Sequence, residues 1–227
     1  MPIAIITGAS RGLGLALARA LAAAGWRLII DARGPGALQR AATELSALSE
    51  VIAIPGDVTD PAHRTELVEA GGDRIDLLVN NASHLGPSPQ PAVEDLALDD
   101  FARILGVNVL APLALAQLAL GRMPAGATIV NVTSDAGVEA YGGWGGYGAS
   151  KAALEQLTAV LAVEHPELRI HAVDPGDMNT AMHQAAFPGE DISDRPPPEN
   201  SVPGLLALIE GDVPSGRHRA HDLAAAA

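Results

Sequence analysis

Between a short apolar run at residues 3–7 and an alanine- and leucine-rich stretch at 13–24 stands Thr7-Gly8-Ala9-Ser10-Arg11-Gly12-Leu13-Gly14. The first run is β-rich and the second has the composition of a helix stopped by Gly25, so the segment reads as strand, glycine turn, helix. Gly8 permits a tight turn directly after the strand. Gly12 and Gly14 let the backbone come close to a pyrophosphate and let the helix pack on the strand. Free N–H groups at the helix start, beside Ser10, Arg11 and Leu13, then face an anionic ligand.

The same order repeats along the 227 residues. Further strands are expected at 26–31, 51–55, 76–80, 128–132 and 169–173, and helices at 37–48, 61–70, 98–120, 147–164 and 202–210. The strands are continuous apolar runs rather than alternating patterns, as in a parallel sheet buried on both faces. Alternating βα units of this kind give an α/β fold, a single-domain Rossmann-type doubly wound parallel sheet. Pro112 should bend or restart the 98–120 helix just after Asn108. That helix is too apolar for one wet face, so it lies in the core or pairs with another subunit. Residues 177–199 carry no periodic pattern and follow a strand end, where ligands sit in such sheets, so they read as a substrate lid. A final strand is hard to find after Gly211, and the tail at 220–227 is expected to fray.

Charge and composition narrow the partners. The net charge of -13 argues against nucleic-acid phosphates and anionic lipid. The absence of cysteine removes disulfides and thiolate metal sites, and seven scattered histidines suggest no metal centre. No apolar run approaches the ~20 residues of a membrane span, so a soluble cytoplasmic protein is expected.

Tyr147 and Lys151 stand four apart, hence on one face if a helix begins at Tyr147. An ammonium held there would pull the phenol below its ordinary value of about 10 and make it a usable acid near neutrality. Taken singly, Tyr147 could be a core residue, Lys151 a snorkelling lysine, Ser134 a strand-end cap and Asn108 a polar helix position. Their order behind the glycine turn is what turns them into a set.

That set, with Asn80-Asn81-Ala82 after the fourth strand and Pro175-Gly176 after the sixth, resembles the short-chain dehydrogenase/reductase family, whose turn has the form Thr-Gly-x-x-x-Gly-x-Gly. The matches run through almost the whole chain in the right order. The resemblance implies that Tyr147 exchanges a proton with a substrate carbonyl or alcohol oxygen, and that Lys151 lowers its pKa and grips the nicotinamide ribose. It implies further that Ser134 orients the substrate oxygen, that Asn108 holds a water linking Lys151 to solvent, and that hydride transfer belongs to the cofactor. Asp57 and Val58 would contact adenine, and Asn81, Ala82, Pro175, Gly176, Met178 and Thr180 would complete the cofactor contacts. Ser83 departs from the glycine usual after Asn-Asn-Ala.

The choice of nicotinamide cofactor turns on the end of the second strand. Asp31 suggests NAD(H), but alignment from Gly25 against the family places Ala32 at the acid position and Arg33 after it. Arg33 and Arg11 together could bracket a 2′-phosphate, which favours NADP(H) over NAD(H). Tyr141 and Trp144, two of only six aromatic residues, precede Tyr147 in a glycine-rich loop and are expected to line the substrate site with residues 83–91 and 178–188. Asp135 and Glu139 read as solvated loop acids rather than a hydrolytic carboxylate pair.

The expected activity is an NADP(H)-dependent oxidoreductase acting between nicotinamide and a small-molecule carbonyl or secondary alcohol. A non-catalytic NADP-binding sensor or scaffold of the same fold, and an enzyme that oxidises its substrate transiently, are the alternatives. The resemblance also implies a homodimer or homotetramer packed through the 98–120 and 147–164 helices.

Overall fold

The computed structural model describes residues 1–224. Seven parallel strands form one sheet in the order β3-β2-β1-β4-β5-β6-β7. They are β1 (Ile3–Ile6), β2 (Arg27–Ala32), β3 (Val51–Pro55), β4 (Leu77–Asn80), β5 (Thr128–Val132), β6 (Arg169–Asp174) and β7 (Gly216–Arg219). Helices α1 (Gly12–Ala23), α2 (Pro35–Leu45) and α8 (Val202–Glu210) cover one face, while α3 (Pro61–Ala70), α5 (Ala111–Ala119) and α6 (Gly145–Glu164) cover the other.

Strand side chains alternate between the two cores. Ala4 and Ile6 of β1 join the α1 side and Ile5 the α3 side, all fully buried. Each large aliphatic side chain removed from water in this way contributes about 1.5–3 kcal/mol. Aliphatic residues therefore supply the core, as the scarcity of aromatics requires.

Strand order reverses beside β1, whose neighbours are β2 and β4. A crevice opens there at the carboxyl ends of the strands, and the glycine turn, Asn81, Ser134 and Pro175 all follow strand ends that border it.

Three regions differ from the sequence reading. The 98–120 segment is α4 (Leu98–Leu105), a five-residue π turn (Gly106–Leu110), α5 and a closing 3-10 turn (Leu120–Arg122). The irregularity lies at Asn108 itself, ahead of Pro112, which sits harmlessly in the first turn of α5. Over 25 residues, Leu98–Arg122 is long and apolar enough by composition to cross a bilayer, contrary to the expectation that no segment is. Its apolarity serves the core instead, since Leu115, Ala116 and Ala119 pack against the sheet.

Second, 177–199 is not devoid of structure. It contains α7 (Ala181–Ala186), started by Thr180, whose Oγ1 accepts the His183 N–H at 3.2 Å, and runs into a 3-10 turn at Pro198–Ser201. Third, the final strand exists. β7 is only four residues long and reads Gly-Arg-His-Arg, so no apolar run betrays it. Within the tail expected to fray, residues 220–224 form helix α9 (Ala220–Ala224), whose Ala220 is buried at 1% exposure; residues 225–227 lie outside the described residues.

Candidate active site

The glycine turn is held from below. Thr7 Oγ1 accepts the N–H groups of Asn81 and Ala82, both at 3.0 Å, and Asn81 Nδ2 donates to the carbonyls of Thr7 (2.8 Å) and Gly8 (3.2 Å). The Asn81 Nδ2 group is thus committed to the turn. Gly8 adopts φ +68° and Gly12 φ +57°, where a side chain would be strained. A Cβ on Gly14 would stand 2.7 Å from the Gly8 carbonyl oxygen, so this glycine is demanded by packing of α1 on the turn. No acidic side chain occupies the first turn of α1, whose free N–H groups border the crevice beside Ser10, Arg11 and Leu13. These features fit the phosphates of a dinucleotide.

At the end of β2, Asp31 is buried and fully engaged. Its Oδ1 accepts the Gly8 N–H at 2.7 Å, its Oδ2 lies 3.0 Å from His63 Nε2, and its carbonyl accepts the Ala9 N–H at 2.9 Å. The Asp31 hydrogen bond holds the His63 imidazole above its ordinary pKa, against the effect of burial. Arg33 is exposed on the crevice wall, together with Arg11, Asp57 and buried Val58. Asp57 Oδ1 accepts both the Thr59 N–H (2.9 Å) and its hydroxyl (2.8 Å).

Across the crevice, Tyr147 and Lys151 project from the first two turns of α6, at 8% and 2% exposure. Lys151 Nζ lies 5.3 Å from the centre of the Tyr147 ring and donates to the Val132 carbonyl at 2.8 Å. The expected depression of the phenol pKa is not what this geometry gives. Burial pushes Tyr147 up to about 12, with the Ser83 hydroxyl acting the other way, and burial pushes Lys151 down to about 8. Desolvation outweighs the ammonium because Nζ is directed to a backbone carbonyl and both groups are largely withdrawn from water.

Ser134 caps a 3-10 turn at Asp135–Gly137, and its hydroxyl donates to Asp135 Oδ1 at 2.8 Å. Its proton reaches a ligand oxygen only after turning away from Asp135. Asn108, in the π turn, donates from Nδ2 to the His84 carbonyl (3.0 Å) and Ser150 Oγ (2.9 Å), while its Oδ1 accepts from the His84 N–H (2.8 Å) and Ser83 Oγ (3.2 Å). Every donor and acceptor of that amide is used, so its side chain ties α6 to the segment after Asn80. Ser150 in turn donates to the Tyr147 carbonyl at 2.6 Å. Ser83, with ordinary backbone angles, costs no strain where the family motif has glycine.

The crevice encloses about 1070 Å³. Pro175, Gly176, Met178 and Thr180 line it, as do Asn81 and Ala82. Trp144 also lines it, with its ring 5.8 Å from those of both Tyr147 and Phe187. Tyr141 does not. It is 43% exposed and donates toward Asp135 (3.0 Å) and Glu139 (2.8 Å) on the outer rim, a correction to its expected place. His84 and Leu85, within 83–91, and Met182 and His183 on α7, within 178–188, also line the crevice. Beyond the sequence reading lies an ionic cluster of Asp174, Glu155 and Arg217 beneath Ser134. Arg217 lies on the short polar strand β7, and no local signal points to it.

The family model described as short chain dehydrogenase matches residues 2–191. Among similar curated proteins is the rhamnolipids biosynthesis 3-oxoacyl-(acyl-carrier-protein) reductase of Pseudomonas aeruginosa, 36% identical over 79% of this chain and 74% of that protein. Another is the sepiapterin reductase of Bos taurus, 32% identical over 81% of this chain and 75% of that protein. Among solved structures, an alcohol dehydrogenase from Thermococcus sibiricus complexed with 5-hydroxy-NADP superposes with a TM-score of 0.85 at 28% identity, covering 96% of this chain and 95% of its own. A short chain dehydrogenase from Escherichia coli complexed with NADPH gives 0.87 at 27% identity and 96% coverage of both chains.

Proposed function

This chain belongs to the short-chain dehydrogenase family, and from that premise we propose that it is an NADP(H)-dependent oxidoreductase acting between a small carbonyl compound and its secondary alcohol, with Tyr147 as the acid and base. One observation carries the reading. Tyr147 and Lys151, buried and 5.3 Å apart from ring centre to Nζ, face the same crevice into which the start of α1 opens.

The preference for NADP(H) rests on Asp31. Its carboxylate is committed to Gly8 and His63, so it is not free to accept hydrogen bonds from a ribose diol. The wall beyond it offers Ala32, Arg33 and Arg11, the two arginines placed for a 2′-phosphate. The glycine turn and the α1 N-terminus would hold the pyrophosphate, with Val58 against the adenine. The nicotinamide supplies the hydride when bound.

Tyr147 gives its proton to the substrate oxygen in reduction and takes it back in oxidation. A phenol raised by burial is a reluctant acid, so binding of the positively charged oxidised nicotinamide beside it is what would bring its phenolate into range for oxidation. Lys151 keeps its ammonium at neutral pH and adds to the same field. Ser134 turns from Asp135 to the substrate oxygen and orients it. Trp144, Leu85 and Met182 exclude water around the reacting carbon.

Exposed Leu110 and Leu118 around α5, and Val160 and Val163 on α6, support a homodimer or homotetramer formed through these helices. The test of the reaction is a cofactor-oxidation screen over ketones, aldehydes, quinones and ketoacyl thioesters with NADPH and NADH. Turnover with NADPH on one of these classes is expected. Absence of turnover on all of them would overturn the reaction.

A further inference from the structure

Beneath Ser134, where the crevice floor meets the edge of the sheet, Arg217 of β7 makes three contacts with parts of the site. Its Nε donates to Glu155 Oε1 at 3.0 Å, and one terminal nitrogen donates to the Ser134 carbonyl at 3.3 Å and to Asp174 Oδ2 at 3.4 Å. Glu155 lies one turn beyond Lys151 on α6 and also accepts from Thr133 Oγ1 at 2.6 Å. Asp174 ends β6, and its Oδ1 accepts the Gly176 N–H at 3.0 Å, which shapes the Pro175-Gly176 turn of the crevice wall.

We propose that Arg217 is a positioning residue for the reaction, joining the Ser134 backbone, the helix that carries Lys151 and the Pro175-Gly176 turn into one rigid floor. The proposal rests on the cofactor and reaction inferred above. The side chains of Arg217, Glu155 and Asp174 are only 26%, 13% and 7% exposed, so three charges are withdrawn from water where the fold needs only a closing strand. Such a cluster is a poor way to gain stability, since well-packed apolar residues serve as well or better. Its placement ties together segments that must keep sub-ångström register during hydride and proton transfer. Burial raises the Asp174 carboxyl, and the Gly176 N–H and then Arg217 oppose that rise.

The experiment compares Arg217→Met, Arg217→Lys and the double variant Arg217→Met/Asp174→Asn in the full chain. NADPH affinity is read by fluorescence titration, and kcat and KM with a carbonyl probe accepted in the screen above. Arg217→Met should weaken NADPH binding severalfold and lower kcat roughly tenfold, with KM for the carbonyl moving less. Arg217→Lys should recover most of both losses by keeping the charge. The double variant should fold more readily than Arg217→Met, because an asparagine in place of Asp174 still accepts from Gly176 without a lone charge there, but it should still bind NADPH more weakly than wild type because the ties to Ser134 and Glu155 are gone.

Equal losses in the Lys and Met variants, or unchanged NADPH affinity in a folded Met variant, would overturn the proposal. If Arg217→Met does not fold, a folded double variant that binds NADPH severalfold more weakly than wild type supports the proposal, and one with wild-type affinity overturns it. A wild-type chain that binds NADPH but reduces no carbonyl defeats the proposed reaction, and the NADPH titration then decides the role of Arg217 alone. A wild-type chain that does not bind NADPH overturns both.

Discussion

The carboxylate of Asp31 accepts the backbone N–H of Gly8 at 2.7 Å, so the acid at the end of β2 props the glycine turn from inside rather than reaching out to a ligand. His63, at 3.0 Å from the other oxygen, closes the pair from α3. The exposed neighbour on the crevice wall is Arg33, the residue proposed to select the cofactor.

Arg33→Ala should weaken NADPH binding by about tenfold or more while leaving NADH within about twofold, since it removes one charge-assisted contact to a 2′-phosphate. Asp31→Ala should do something different. It leaves two buried partners unsatisfied, costs about 3 kcal/mol of stability and weakens both cofactors alike. Parallel fluorescence titrations with chemical denaturation check both, and an Asp31 variant that selectively loses NADH would reverse the assignment.

Lys151→Met should make the protein more stable and inactive at once. In the folded chain burial pushes the lysine down to about 8, below the usual lysine range, so the folded state disfavours the ammonium. Between about pH 8 and the ordinary lysine value near 10.4 the unfolded chain binds more protons, and stability rises with pH; below pH 8 the penalty is present in full. Removing the charge relieves on the order of 3 kcal/mol, less the hydrogen bond to Val132. Melting at pH 7 should therefore rise by a few degrees while NADPH oxidation disappears. A lower Tm would contradict the burial argument.

His171 predicts acid sensitivity. It is fully buried on β6, neither ring nitrogen has a partner, and its ring lies 5.2 Å from that of His218. Burial, with His218 adding to it, pushes the imidazole down to about 4. The unfolded chain protonates first, so stability falls as pH drops from about 6.5 to 4, by roughly 3 kcal/mol over that window. His171→Leu should flatten that part of the profile, measured by denaturation at several pH values. An unchanged slope would place the acid sensitivity elsewhere.

The parts legible from sequence are those with local signatures. Glycines at 8, 12 and 14 mark a turn whose angles at the first two only glycine takes easily, and apolar runs such as Ile3–Ile6 and residues 28–30 mark buried parallel strands. Tyr147 and Lys151 share a helix face because four residues make about one turn. The parts that escape depend on tertiary burial. Nothing in Gly-Arg-His-Arg announces a strand, because β7 pairs with β6 on one side only and owes its place to that ladder. The π turn that holds Asn108 and the inward turn of Asp31 are answers to partners distant in the chain, His84 and Ser150 for the one, Gly8 and His63 for the other. The direction in which the phenol shifts escapes for the same reason, since spacing gives the neighbour but not the loss of water.

The central claim is that the Tyr147 hydroxyl moves the proton. Tyr147→Phe removes one oxygen from a site whose ring stays packed against Trp144. NADPH affinity should remain within about twofold of wild type, and carbonyl-dependent NADPH oxidation should fall by at least about 10²-fold. Turnover unchanged in a variant that binds NADPH normally would contradict the account.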